Sequence, residues 1–140
     1  MFGSMKNPAN AYAQLSIDSA VLSADPHRLI LLLFEGAENA LTLSHHYIEE
    51  GNIAERGTAI SKAIDIINNG LKASLDLSQG GELAERLYAL YEYMASRLLW
   101  ANMKNDLVVL DEVRSLLDEI HGAWKEIAPQ NQSTAANNAR

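Results

Sequence analysis

The chain contains no cysteine. This removes disulfides, thiolate nucleophiles and Cys-ligated zinc, and is compatible with a reducing cytosol. It is also short of positive charge: 11 Lys and Arg against 18 Asp and Glu leave a formal net charge of −7. Nucleic acid is bound through a basic footprint, so it is not an expected partner. Long hydrophobic runs are missing as well. The longest purely apolar stretch is Leu29 to Phe34, LILLLF, far short of the roughly twenty residues that span a bilayer. No charged n-region, apolar h-region and cleavage site open the chain, so no secretory signal is read and no membrane insertion is expected. Strand signals are absent too: there are no period-two stretches and no hairpin turn between β-branched runs. At 140 residues with 48% hydrophobic content, the expectation is one soluble, cytoplasmic, all-α domain.

Catalytic constellations are equally scarce. Gly80-Gly81 lacks the spacing and the lysine of a phosphate cradle. The serines are scattered, with no legible His-Asp arrangement around them. No Glu has a His three positions on, as a di-iron bundle would require. The four histidines, His27, His45, His46 and His121, read as solvated groups near helix ends, and adjacent His45-His46 make a poor chelate. No catalytic residue, no metal ligand and no cofactor are predicted.

What the chain does have is helical periodicity. Asp25-Pro26 is a helix start, with Asp as N-cap and Pro in the first helical position. Leu29, Leu33, Gly36, Ala40, Leu43 and Tyr47 follow at steps of four and three, and Gly51 stands as a C′ glycine. A second helix is predicted from about Ile53 to Leu77, with Ile60, Ile64, Ile67, Leu71 and Leu75 as its seam and a strip of mostly small residues beside it. Ser78-Gln79-Gly80-Gly81 turns into a third helix running to Asn105. Asn105 or Asp106 caps a fourth, in which Leu107, Leu110, Val113, Leu117, Ile120, Trp124 and Ile127 form the stripe before Pro129 stops it. The fold class is an all-α, antiparallel up-down four-helix bundle. Residues 25–128 form the bundle, 1–24 a mobile N-terminal arm, and 129–140 a disordered polar tail.

The third helix carries more apolar surface than a seam needs. Leu83, Leu87, Leu90, Met94 and Ala101 lie on one line at 100° per residue; Ala84, Tyr88, Tyr91, Ala95, Leu98 and Leu99 flank it on one side, Tyr93 and Trp100 on the other. The apolar arc spans roughly 260°, against about 100° for an ordinary surface helix. Three uses are open on physical grounds: a groove for a peptide partner, packing against a second copy, or internal packing.

Four stretches decide among these by resemblance: AYAQLSIDSAVLSADPHRLILLLFEGAENAL (Ala11 to Leu41), RGTAISKAIDIINNGLKASLD (Arg56 to Asp76), GGELAERLYALYEYMASRLLWANMKND (Gly80 to Asp106) and EVRSLLDEIHGAWKE (Glu112 to Glu126). In order and spacing they are similar to the FliS family of flagellin-specific secretion chaperones. The specific part is the joint occurrence of Tyr12, LLFEGA, NGL-x-x-SLD and L-x-x-LY-x-YM with LL-x-AN. The resemblance implies a bundle that binds the C-terminal segment of flagellin in the cytoplasm, prevents premature polymerisation and delivers it to the flagellar type III export apparatus. It also implies an arm that lies over part of the apolar site and moves when flagellin binds, with Tyr12 and Ile17 at the arm positions. The helix positions carried over for partner binding are Ile60, Ile64, Ile67, Leu71, Leu87, Leu90, Tyr91, Met94 and Leu98. A link to another flagellar regulatory protein is known in the family, but no motif here reports it. The alternatives are a homodimeric helical scaffold and, behind it, an enzyme or metal-binding bundle.

Overall fold

The structure is a computed structural model that describes residues 25–138, with side chains described for residues 25–126. Four α-helices follow in order: α1 (Pro26–Glu50), α2 (Ile53–Asp65) continued by a π-helical segment (Ile66–Lys72), α3 (Gly81–Lys104) and α4 (Leu107–Asn138). The described residues contain no strand. Each helix packs on its sequence neighbours, and α4 closes the ring against α1. This is the up-down bundle that short loops between long amphipathic helices impose. None of the helices is long and apolar enough, among the described residues, to cross a membrane.

The helix starts and stops follow local chemistry. The Asp25 carboxylate accepts from the Arg28 N–H at 2.7 Å, and Pro26 takes the first helical position, as expected. Gly51 is left-handed at φ 72°; its N–H bonds the Ile48 carbonyl at 3.2 Å, and the next N–H, of Asn52, bonds Tyr47 at 2.9 Å. That pair of bonds is a Schellman motif, and Asn52 then caps α2 by accepting from the Glu55 N–H. The α3–α4 turn repeats the device with Asn105 at φ 53°. There the Asp106 N–H reaches back to Ala101 at 3.0 Å, while the Asp106 carboxylate caps α4 at Val109. Arg56 joins the two turns, donating to Asn102 Oδ1 at 3.0 Å and to Asn105 Oδ1 at 2.8 Å.

The core is one cluster built from all four helices, with Phe34, Leu41, Ile60, Ile67, Leu71, Met94, Leu98, Leu110, Val113 and Leu117 fully enclosed. Four expectations are corrected. The second helix is not a regular α-helix to Leu77: its α part ends at Asp65 and its helical part at Lys72. The wider i→i+5 turn brings residues four and five apart onto one face, so Ile66, Ile67, Gly70 and Leu71 all point inward. On α3 the buried line runs through Ala84, Tyr91, Met94, Ala95, Leu98 and Ala101, beside the expected seam, and Leu83 is 66% exposed. Helical backbone continues through Pro129 to Asn138, where a stop was expected. A proline removes one backbone bond and kinks a helix without having to end it. Finally, His27 and His121 are buried rather than solvated. His121 stacks on Phe34 with ring centroids 5.2 Å apart, and its Nδ1 lies 3.1 Å from a Glu38 carboxylate oxygen.

Candidate functional site

At the end of the bundle away from Arg56, four chain segments converge without filling the space between them. They are the first turns of α1, the end of the π segment with its following loop, the first turns of α3, and α4 near Trp124. The result is a cleft of about 570 Å³. Its floor is the buried ends of Phe34, Leu71 and Tyr91; its walls are Leu29 and Ile30 from α1, Leu75, then Leu83, Ala84 and Leu87 from α3, and Ile120 and Trp124 from α4. The sequence explains the opening. Helical structure stops at Lys72, and the loop to Gly81 is drawn tight around Asp76, whose carboxylate accepts from the Ser78 hydroxyl at 2.7 Å and from the Ser78 and Gln79 N–H groups at 3.1 Å. The Ser78 hydroxyl bond, then the Gln79 amide, hold the Asp76 carboxyl below the usual carboxylate range. The first two turns of α3 therefore overhang the loop with no helix opposite, which leaves Leu83 and Leu87 facing the opening.

Several polar groups around the cleft are already engaged. The Ser74 hydroxyl donates to the Leu71 carbonyl at 2.7 Å. His27 Nε2 donates to the Trp124 carbonyl at 3.0 Å, and the Trp124 indole N–H donates back to the His27 carbonyl at 3.2 Å. The two rings stack at 5.0 Å with an 18° tilt. Burial is the main influence on His27, pushing its imidazole below the ordinary histidine range; Asp25 opposes that shift and Arg28 adds to it. Burial likewise pushes the Tyr91 hydroxyl up. A lining of mostly apolar side chains, with Ser74, Asp76, His27 and Trp124 paired internally, offers burial to an apolar ligand.

The sequence-derived site residues separate on the structure. Leu71, Leu87 and Tyr91 meet in the cleft. Ile64 and Leu90 are half-buried and pack against the core cluster. Ile60, Ile67, Met94 and Leu98 are wholly enclosed in the bundle, so in this conformation they hold the fold and present no surface. Tyr12 and Ile17 lie outside the described residues. Leu29, Ile30, Leu75, Leu83 and Trp124 line the cleft without having been singled out as partner-binding. Their apolar character was visible; the convergence of four segments at one end was not.

Two further features stand apart. Leu99, Trp100, Met103 and Val108 are exposed around the α3–α4 turn, Met103 at 73%. On the α1–α4 side, Glu38, Asp118 and His121 bring one ligand atom each within 4.8 Å of one another. Sequence spacing along single helices could not show that grouping, because Glu38 comes from a different helix.

Comparison with known proteins places the chain in a family. Residues 8–131 match the family model described as flagellar protein FliS. The chain is 52% identical over 120 residues to the flagellar secretion chaperone FliS of Salmonella typhimurium, covering 86% of this chain and 89% of that protein. It is 45% identical to the Escherichia coli protein of the same name over 116 residues (83% and 85%), and 32% identical to that of Bacillus subtilis over 122 residues (87% and 86%). These relatives are named as chaperones, not as enzymes. With nearly the whole bundle inside the match, the chain belongs to the FliS family of flagellar proteins.

Proposed function

We propose that this protein is a flagellar secretion chaperone that holds the C-terminal segment of flagellin in the cytoplasm. In that role it keeps the segment from premature polymerisation and hands it to the flagellar type III export apparatus. The observation that carries the reading is the cleft: an apolar cavity at one end of a bundle whose core is otherwise closed among the described residues. Apolar surface of this kind on a single chain is a partner site, and an amphipathic segment laid into it is a recurring mode of recognition. Leu87, Leu71 and Tyr91 are its direct contacts, with Ile64 and Leu90 beside it. Ile60, Ile67, Met94 and Leu98 support them from behind. Tyr12 and Ile17, outside the described residues, are further proposed contacts, carried over from the family resemblance. Because the client is disordered before binding, ordering it offsets much of the burial.

The test is calorimetric titration with the C-terminal segment of the cognate flagellin, repeated with a flagellin truncated at its C-terminus. One-to-one binding with a large negative heat-capacity change, lost on truncation, is expected. Absence of heat together with concentration-dependent self-association would replace the chaperone by a homodimeric scaffold using the Leu99–Met103 surface.

A further inference from the structure

The His27–Trp124 pair ties the first turn of α1 to the distal part of α4 across the mouth of the cleft. Among the described side chains beyond Leu117, His121, half-buried Ile120 and this pair hold α4 against the bundle. The two hydrogen bonds are reciprocal, each ring reaching the other residue's carbonyl, and both residues line the cleft. A carbonyl only accepts, so neutral His27 carries its proton on Nε2. We propose that this pair is a latch that sets the width of the cleft, that His27 is thereby a positioning residue for the client segment, and that the latch loosens when His27 takes up a second proton. The proposal rests on the chaperone reading for its client and on the free protein's geometry for its mechanism.

The electrostatics of the site supply the direction. His27 is only 7% exposed and sits in the first turn of α1, where the helix dipole disfavours positive charge. Arg28 adds to that; Asp25 opposes it. Stacking on the indole also favours the imidazolium, but the ring is dry and at the positive end of a helix. From α4 the residues facing the cleft are Ile120 and Trp124, and the α2–α3 loop brings one further charge to its rim, Asp76. An imidazole freed by an open latch titrates near its ordinary value of about 6.5. With the closed-latch imidazole held below that range, the closed latch is fully favoured above about pH 6.5 and loses its advantage progressively as pH falls below it.

The test has two arms. The chain has two tryptophans, so Trp100→Phe leaves Trp124 as the sole indole reporter. On titrating the free protein from about pH 8 to about pH 5, Trp124 emission is expected to change with a midpoint below that of free imidazole. The change is expected to vanish in His27→Gln, which keeps an N–H donor and cannot titrate. No transition, or the same transition in His27→Gln, overturns the latch. In the second arm, affinity for the flagellin C-terminal segment is measured across the same range. The expected result is several-fold weaker binding at acid pH for the native chain and a flat profile for His27→Gln. Trp124→Phe, which keeps the ring and loses the donor, is expected to bind several-fold more weakly at neutral pH. A slope that survives in His27→Gln assigns the pH response to other groups, His121 behind Phe34 included, and overturns the positioning role. If the segment binds at no pH, the chaperone reading falls while the first arm still decides the latch.

Discussion

A Cβ built at Gly80 would lie 2.5 Å from the Ala84 Cβ and 2.7 Å from the Asp76 carbonyl oxygen, and neither neighbour is the free end of a flexible chain. Gly80→Ala is therefore expected to cost about 1–3 kcal/mol through overpacking. Gly122 gives the opposite case. Nothing lies within 4 Å of its hypothetical Cβ and it sits inside α4, so Gly122→Ala is expected to stabilise by about 0.5–1 kcal/mol. Urea midpoints at constant slope separate the two signs. Glu38 matters for a different reason. It accepts from the His121 ring, which is 5% exposed and whose Nε2 already lacks a partner. Glu38→Ala leaves both ring nitrogens unpaired, with an expected loss of about 1–3 kcal/mol measured in the same experiment.

Among the elements, the two-residue turns are the most determined by their own residues. Each pairs a left-handed residue (Gly51, Asn105) with a side chain that caps the next helix (Asn52, Asp106). Asp106→Ala is expected to lower stability by about 1 kcal/mol, seen as a fall in thermal midpoint with helix content retained. Asp25, Gly51 and Asp106 could be read from sequence because capping is local chemistry, and the stripe of α4 because its period of three and four is unbroken. The π segment could not be read. Ile64, Ile67 and Leu71 fit an α-helical seam well, and what selects the wider turn is tertiary: Ile66 and Gly70 must also face inward, where Gly70 lies so close to Leu33 that a Cβ would approach within 3.1 Å. The cleft was only half legible. The excess of apolar residues on α3 announced a partner surface, but which of them face the core depends on where the neighbouring helices end, and a helix end in space leaves no mark on another helix's sequence. Hence Met94 and Leu98 read like Leu87 in the sequence, although two are enclosed and one lines the opening.

For the molecule as a whole, stability and client binding are expected to separate along α3. Leu98 contributes to the sealed core, so Leu98→Ala should cost about 2–5 kcal/mol and weaken binding only as far as folding is lost. Leu83 is mostly exposed on the cleft wall. Leu83→Glu should leave the thermal midpoint nearly unchanged and weaken binding of the flagellin segment by a factor of about ten or more, since a charge in an apolar site must be desolvated. Parallel loss of both properties in Leu83→Glu would count against the cleft as the binding surface. The bundle is also unequal end to end: Arg56 pins two turns together at one end, while at the other α1 starts beside the cavity, with Pro26 and His27 on its wall. The start of α1 beside the cavity makes that end a point of attachment for a fused client. A client peptide joined to Asp25 by a short flexible linker, in place of residues 1–24, would face the cavity at an effective concentration of order millimolar, so the complex could be studied as a single folded chain.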